Sequence, residues 1–305
     1  MTSKWIAAID ARSRSALASG ALQPVQAEQI ELEDAGMRFI VRWVSSLAAK
    51  DATKRPLAAG EREAGRGGEE VAIPGGPRDP NFNPFLNPDP ELTVGPVGDA
   101  HVAILNKFPL CEGHLVLARR TFEEQLLPLT RSDFAALAEI MAEAGGIGLY
   151  NGGTAAGASQ RHKHVQWMPP AEGNANLRLF AAGLPDSVVE QDVAVHPALP
   201  MKHSFVRVRC GQGEVAHEAA ASMHAAYVRA CRALDLEPGV DGLLPACNLL
   251  VSDGWLLMLP RSQEHFEGIS MSAVCFGGTL YTRQPEQIES IRRVGPLRAL
   301  AAVGY

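Results

Sequence analysis

The stretch Gly157-Ala-Ser-Gln-Arg-His162-Lys-His164-Val-Gln166 decides how this sequence is interpreted. His162, His164 and Gln166 alternate along it, and alternate side chains of a β-strand point to one face of a sheet. The spacing therefore predicts two imidazoles and one amide in a row. One imidazole of such a pair can act as a nucleophile while the other supports it, so the stretch indicates group-transfer chemistry.

A glycine-rich run leads into this stretch. Residues 152–157 form a predicted loop, after which Ser159 and Gln160 offer a hydroxyl and an amide that can donate to phosphate oxygens. The backbone N–H groups of such a loop can also form an anion-binding nest. A neutral imidazole attacks phosphorus without prior deprotonation, and neighbouring donors spread the charge on the equatorial oxygens. The run therefore favours transfer of a phosphorus-containing group.

A metal site is the alternative for the histidine pair, since histidine is a common metal ligand. Such a site needs a third and a fourth ligand at good geometry, and no carboxylate or cysteine lies near the pair in sequence. Of the nine histidines, the seven outside the pair show no shared spacing, and we treat most of them as structural. We therefore expect no metal ligands.

Composition bounds the class of protein. The chain has 305 residues, of which 46% are hydrophobic, so one large domain or two modest ones can form a full core. The net charge of −6 argues against nucleic acid as the main partner. The five cysteines are scattered and form no C-x-x-C pair, which indicates a reduced compartment. Without a signal-peptide pattern or a long uncharged apolar run, we expect no membrane span and a cytoplasmic location.

Periodicity predicts a mixed architecture. Residues 24–49 show helical spacing of apolar side chains, and residues 50–80 form a long glycine-rich loop that we expect to be mobile. Thr130 to Asp133 fits a capping box that begins a helix. The other predicted elements are strands at 101–106, 114–118, 148–151, 162–167 and 203–210, a helix at 215–234, and a hairpin of strands 248–252 and 255–259 around Asp253-Gly254. Hairpins with helices set apart indicate an α+β fold rather than a doubly wound parallel sheet.

The residues resemble a known family. The H-x-H-x-Q pattern of His162 to Gln166 is similar to that of the ATP adenylyltransferases, also called diadenosine tetraphosphate phosphorylases, of the histidine triad (HIT-like) superfamily. Uridylyltransferases share this pattern, but the resemblance continues in order along nearly the whole chain. It includes Phe39-Ile-Val-Arg42 with Lys54, Asn83-Pro-Phe-Leu86, Asn106-Lys-Phe-Pro109 with Gly113-His114, Leu129-Thr130 with Asp133-Phe134, Tyr150-Asn151, Asn248-Leu-Leu-Val-Ser252, and Trp255 through Pro260-Arg261.

The resemblance implies a fold and an activity. The fold is an antiparallel HIT-like sheet flanked by helices, with a catalytic region at 1–190 and an ATP adenylyltransferase C-terminal region at 191–305 packed on the same core. The activity is the reversible cleavage of diadenosine tetraphosphate by phosphate, which gives ADP and ATP through an adenylyl-histidine. The resemblance implies a monomer whose partners are small nucleotides. We expect no tightly bound cofactor, and a divalent ion such as magnesium accompanies the polyphosphate.

The resemblance also assigns roles to residues. His164 would be the nucleophile, His162 would support it, and Gln166 would hydrogen-bond the α-phosphate. Asn151 would lie by the ribose or α-phosphate, and Lys54 would reach the polyphosphate from the mobile stretch. The remaining predicted nucleotide-binding residues are Gly157, Ala158, Ser159, Gln160, Ser252 and Arg261.

The chain departs from the pattern at three places. Gln166 stands where the classical triad has a third histidine, a change that in the family goes with transfer to phosphate rather than simple hydrolysis. Gln263 and Glu264 stand where the family often has a lysine, which weakens one basic contact. Lys163, between the histidines, should point to the opposite face of the strand, and we expect it to be exposed.

Two other functions remain open at this point. A hexose-1-phosphate uridylyltransferase would share H-x-H-x-Q, but that family usually has proline between its histidines and often cysteine or histidine metal ligands, whereas this chain has Lys163. A nucleotide-binding protein that has lost turnover would share the fold. The retention of both histidines and of Gln166 speaks against that second function.

Overall fold

The regular structure is divided between strands and helices. The computed structural model describes residues 3–24, 28–43, 83–185, 187 and 189–305, so the predicted loop 50–80 and Lys54 lie outside the described residues. The strands are β1 (Glu28–Asp34), β2 (Met37–Trp43), β3 (Thr93–Val97), β4 (His101–Leu105), β5 (Leu115–Arg119), β6 (Ile147–Gly152), β7 (His164–Met168), β8 (Val193–Ala194), β9 (Ser204–Arg207), β10 (Cys247–Ser252), β11 (Trp255–Pro260), β12 (His265–Phe266), β13 (Ile269–Ser270) and β14 (Thr279–Thr282). The α-helices are α1 (Lys4–Ser19), α2 (Arg131–Ala144), α3 (Ala216–Ala233), α4 (Pro285–Val294) and α5 (Pro296–Ala301).

One large sheet carries the histidine motif. Its nine strands follow the order β3-β4-β5-β7-β6-β10-β11-β9-β8, and neighbouring strands run antiparallel. The motif strand β7 lies between β5 and β6, and β6 pairs on its other side with β10. Strands from before and after residue 190 thus belong to one sheet. The predicted α+β fold with an antiparallel sheet is confirmed.

The large sheet is covered on both faces. One face packs against α1, α2 and α3, and the other packs against a small sheet of order β1-β2-β14 and the C-terminal segments. Strand β7 shows the division, since Val165 and Trp167 join the helix-side core while Met168 joins the other. Because side chains alternate along a strand, His164 and Gln166 share the face of Met168.

The helix predicted at residues 24–49 is wrong over residues 28–43, the part of that range from its hairpin onward that the structure describes. The chain instead forms the hairpin of β1 and β2, whose turn residues Ala35 and Gly36 have φ values of 50° and 75°. Positive φ at both central residues is the geometry of the tight hairpin turn that joins two twisted strands. Phe39 and Val41 are fully buried on alternate positions of β2, so a period of two decides this segment. The acidic residues that suggested a helix start belong to β1, which is largely exposed.

Several predicted helix ends and turns are confirmed. Thr130 and Asp133 form both bonds of the capping box at the start of α2, and Gly145, with a φ of 65°, follows its last residue. Asp253 and Gly254 join β10 to β11 with φ values of 51° and 79°. We predicted no element at α1. Among the helices of the described ranges, none combines the length and the hydropathy that a membrane span requires.

Candidate active site

His164 is held as a neutral base at the start of β7. The side chain is 4% exposed, and its Nδ1 donates to the backbone carbonyl of His162 at 2.8 Å. A carbonyl only accepts, so the proton lies on Nδ1 and the lone pair on Nε2. Within the described part of the chain, Nε2 has no hydrogen-bond partner. Burial lowers the pKa of His164 to about 4, which keeps this lone pair available at neutral pH.

His162 differs from His164 because both of its ring nitrogens face oxygen atoms of the protein. Nε2 lies 2.7 Å from the carbonyl oxygen of Arg119, and Nδ1 lies 3.0 Å from Oδ1 of Asn83. Burial lowers the pKa of His162 from its ordinary value. Nε2 donates to the carbonyl, so the lone pair of the neutral ring lies on Nδ1, which faces the Asn83 oxygen rather than an open site. His162 can therefore support its neighbour but is poorly placed to be the nucleophile.

A phenylalanine lies against both imidazoles. The ring centroid of Phe85 is 4.9 Å from that of His164 and 6.0 Å from that of His162. Asn83 shapes the turn that contains Phe85, since its Oδ1 accepts the backbone N–H groups of Phe85 at 3.1 Å and Leu86 at 3.2 Å. The Asn83-Pro-Phe-Leu86 segment thus connects directly to the histidine pair.

The Gln166 amide is oriented by His114. The Nε2 of His114 lies 2.8 Å from Oε1 of Gln166, while its Nδ1 faces the backbone N–H of Leu110 and the Nδ2 group of Asn106, both at 3.4 Å. Burial lowers the pKa of His114 to about 4, so the ring is neutral and donates from Nε2. Oε1 of Gln166 is therefore the acceptor, and its NH₂ group is the end left to donate to a ligand. His114 belongs to the histidines that we expected to be structural, and its spacing in the sequence does not predict this contact.

The glycine loop uses part of its backbone internally. The N–H of Gly157 bonds the carbonyl of Thr154 at 2.9 Å, and that of Ala158 bonds the carbonyl of Gly153 at 3.0 Å. Gly157 has a φ of 86°, and a Cβ there would lie 3.0 Å from Cβ of Ser272. These two N–H groups are therefore not available for the expected anion nest, because they already donate to backbone carbonyls. Those of Ser159 and Gln160 have no backbone partner among the described residues.

Asn151 presents a single amide end to the site. Its Oδ1 accepts Nδ2 of Asn248 at 2.9 Å and the backbone N–H of Ala273 at 2.8 Å. The side chain is buried, with the residue 8% exposed. Its Nδ2 has no partner in the described ranges, so this donor is the end left for a ligand.

Two predicted nucleotide contacts, Arg261 and Ser252, form their hydrogen bonds within the protein. Arg261 is 2% exposed and directs its guanidinium at protein acceptors, among them the carbonyls of Val303 at 2.9 Å and Met271 at 2.7 Å. Ser252 donates to Asp253 at 2.8 Å and accepts the N–H of Leu177 at 3.1 Å. It lines a cavity of about 440 Å³ that no residue of the motif or the glycine loop lines. Neither side chain has a donor aimed at His164.

Lys163 is buried, so the predicted exposed lysine is wrong. The side chain is 1% exposed on the helix side of the large sheet. Its Nζ donates to the carbonyl of Pro128 at 2.8 Å and lies 3.4 Å from a carboxylate oxygen of Asp133 and 3.5 Å from one of Glu123. Burial of a charged lysine requires such partners, and they are supplied by an acid of α2 and an acid of the segment that precedes this helix.

Comparison with known proteins places this geometry in a family. Residues 2–179 match the model of the Ap4A phosphorylase N-terminal domain, and residues 197–305 match that of the ATP adenylyltransferase C-terminal domain. A curated Saccharomyces cerevisiae relative, diadenosine 5',5'''-P1,P4-tetraphosphate phosphorylase 2, is 35% identical over 104 residues, which are 30% of this chain and 32% of the relative. The sequence match thus spans about a third of that relative's length.

Solved structures match the fold over the whole chain. Yeast Ap4A phosphorylase Apa2 in complex with AMP superposes with a TM-score of 0.74 at 19% identity, covering 100% of this chain and 99% of that one. Apa2 in complex with Ap4A gives a TM-score of 0.73 at 21% identity, with 100% and 98% covered. At these identities the likeness establishes the fold. The N-terminal model alone covers more than half of the sequence, and the chain therefore belongs to the Ap4A phosphorylase family.

Proposed function

We propose that this protein is a nucleotidyltransferase that cleaves diadenosine tetraphosphate with inorganic phosphate, giving ATP and ADP, and that the reaction is reversible. The observation that carries the proposal is the state of His164, a buried neutral imidazole whose Nδ1 proton is held by a carbonyl and whose Nε2 is unpartnered within the described residues. Such a ring is a nucleophile for phosphorus. The proposal rests on this geometry together with membership of the family.

In the first step, Nε2 of His164 attacks an α-phosphorus of the dinucleotide. An N–P bond forms, the bond from that phosphorus to the bridging oxygen breaks, and ATP leaves. Positive charge develops on the ring, and the carbonyl of His162 stabilises it through the Nδ1 proton. The free NH₂ groups of Gln166 and Asn151 donate to the α-phosphate or the ribose.

In the second step, an oxygen of inorganic phosphate attacks the adenylyl group. An O–P bond forms, the N–P bond to His164 breaks, and ADP leaves with the imidazole restored to its neutral form. Gln166 has no titratable proton, and the hydrogen bond from His114 leaves its amide as a donor. It therefore cannot activate water as a third histidine could, whereas phosphate arrives already ionised.

Product analysis tests the proposal. The protein is incubated with diadenosine tetraphosphate and magnesium, with and without phosphate, and the nucleotides are separated. We expect ATP and ADP only with phosphate. In the His164→Ala variant we expect a loss on the order of 10⁴-fold or more, because no nucleophile remains. His217→Ala, an exposed histidine on α3, is the matched control and should retain wild-type activity.

The other outcomes identify the alternatives. Hydrolysis without phosphate, or turnover of a UDP-sugar in place of the dinucleotide, would overturn the proposal and favour a hydrolase or a uridylyltransferase. Nucleotide binding without turnover would indicate a protein that has lost catalysis. Full activity of His164→Ala would show that the nucleophile is wrongly assigned.

The partners follow from this reaction. We propose that the ligands are small nucleotides, with magnesium carried by the polyphosphate, and that Lys54 contacts the polyphosphate chain. We also propose that the protein acts as a monomer in the cytoplasm. The five unpaired cysteines suit a reducing compartment. Sedimentation at assay concentration tests the oligomeric state, since a stable dimer would contradict it.

A further inference from the structure

Arg261 is a buried cation whose partners are neutral. Besides the carbonyls of Val303 and Met271, the guanidinium donates to the carbonyl of Gln263 at 2.8 Å and to Oδ1 of Asn248. No carboxylate oxygen lies within ion-pair distance of it in the described part of the chain. Burying a cation without a counter-charge is costly unless its donors are satisfied. The Arg261 site is thus built around hydrogen-bond donation.

Donation from Arg261 fixes the direction of two asparagine amides in turn. A guanidinium has only donors, so the atom of Asn248 that it contacts must be the oxygen. The Nδ2 of Asn248 then donates to Oδ1 of Asn151, which also accepts the N–H of Ala273. With its oxygen occupied by two donors, Asn151 has only its NH₂ end for a ligand.

Asn248 also holds the glycine loop. Its Nδ2 donates to the carbonyl of Ala156 at 2.9 Å, at the end of the short 3-10 turn Thr154–Ala156 that precedes Gly157. One buried amide from β10 therefore connects the Asn151 donor with the loop that leads to Ser159 and Gln160. Because Asn248 and Arg261 follow residue 190, the C-terminal part of the chain completes this side of the site.

We propose that Asn248 and Arg261 are positioning residues that, together with the N–H of Ala273, set the polarity of Asn151, so that it donates to the α-phosphate or ribose instead of facing it with an oxygen. This inference rests on the proposed function. The two ends of an asparagine amide have nearly the same shape, so packing alone cannot choose between them, whereas hydrogen-bond partners can. A reversed Asn151 would present a carbonyl oxygen to an anionic substrate and repel it.

The variant Asn248→Asp tests this relay. A carboxylate at 248 still accepts from Arg261, and gains an ion pair, but it has no N–H to give to Asn151 or Ala156. We expect the kcat/KM for diadenosine tetraphosphate to fall about 100-fold, the size of effect seen when one donor to a developing anion is removed. Asn174→Asp is the matched control. Asn174 is also buried, at 6% exposed, and its Nδ2 donates to the carbonyl of Pro169.

A double variant separates positioning from general damage. Asn151→Ala removes the donor that Asn248 orients and introduces no charge. We expect Asn151→Ala to cost about as much as Asn248→Asp, and the double variant to cost little more than either. Losses that multiply, or an Asn248→Asp enzyme within threefold of wild type, would overturn the inference.

A structural readout keeps the inference testable if the wild type shows no phosphorolysis. In a crystal structure of Asn248→Asp we expect the hydrogen-bond partners of Asn151 to show a reversed amide, and we expect AMP binding measured by calorimetry to weaken. If the wild type binds AMP without turnover while the variant shows both changes, the proposed function fails and the relay stands. An unchanged Asn151 in the variant overturns the relay whatever the activity.

Discussion

His164 depends on its surroundings for its protonation state. Burial lowers its pKa, and the carbonyl of His162 chooses which nitrogen carries the proton. The role of nucleophile was predicted for His164 from a resemblance, and it stays a prediction. What the structure adds is a physical difference between two histidines that the spacing alone leaves equivalent.

This difference predicts how the proposed adenylyl transfer depends on pH. A ring with a pKa near 4 in the free protein is deprotonated above that value, so its lone pair is present between pH 5 and pH 8. We expect the His164 contribution to kcat/KM to be flat over this range and to be lost only as the pH falls through about 4. Single-turnover formation of the adenylyl-enzyme without phosphate measures this step. An acid limb centred near 6.5, the ordinary histidine value, would contradict it.

For individual residues, the sequence could predict only part of the candidate site. The alternation of His162, His164 and Gln166 follows from strand geometry and is visible in the letters. The orienting contact of His114 is not, because it depends on β5 lying beside β7, a pairing across about 50 residues of chain. The inward turn of Arg261 was equally hidden, since its acceptors are backbone carbonyls brought together by the fold.

At the scale of elements, short-range signals were reliable where a turn or cap demands particular residues. The capping box of α2 and the turn at Asp253-Gly254 are of this kind. The helix prediction for residues 24–49 failed because the exposed strand β1 carries acidic residues of the kind that often begin a helix. Its Asp-Ala-Gly turn and the alternate burial of Phe39 and Val41 were the signals that outweigh that composition.

Helix α2 supports the motif strand from behind through Asp133. Its carboxylate lies 2.9 Å from Nε2 of His101 and accepts the backbone N–H of Thr130 at 2.7 Å. It also lies 3.4 Å from Nζ of Lys163. Burial alone would raise the pKa of Asp133, but the bond from His101, the charge of Lys163 and the bonds from Thr130 hold it well below the usual range. The lysine between the two histidines is thereby fixed to the start of a helix.

We predict that Asp133→Asn lowers the free energy of unfolding by about 3 kcal/mol, because it leaves the buried Lys163 without its closest carboxylate. Denaturant unfolding measures the change, and Asp10→Asn on the exposed side of α1 is the control. Combining Asp133→Asn with Lys163→Met should recover much of the loss, since no unpaired charge remains. A double variant less stable than Asp133→Asn would show that the pair is not the cause.

At the scale of the whole molecule, the two predicted regions are joined by a shared sheet. The register of β6 against β10 pairs Asn151 with Asn248, so the regions 1–190 and 191–305 meet inside the candidate site. The boundary at 190 stays a prediction. Family membership and the α+β fold were predictable from the ordered motifs, whereas the sharing of one sheet depends on contacts far apart in sequence.

Shared strands predict one cooperative unfolding transition. We expect calorimetry at neutral pH to give a single transition whose calorimetric and van't Hoff enthalpies agree. Two separate transitions would contradict this expectation. The same experiment should show stability falling from about pH 6.5 towards pH 4. There the unfolded chain protonates His114 and His164 while the folded protein, with both pKa values near 4, does not.

The two faces of β7 have a consequence for how this motif tolerates change in length. One face carries His164 and Gln166, and the other carries Val165 and Trp167, with Lys163 turned to the same helix side just before the strand. Inserting or deleting one residue would exchange these sets, turning a lysine towards the candidate active site and an imidazole towards the buried carboxylate partners of Lys163. Substitutions in this strand can have graded effects, whereas the insertion or deletion of one residue cannot. Among natural variants we therefore expect the spacing of this strand to vary less than the identity of the residues in it.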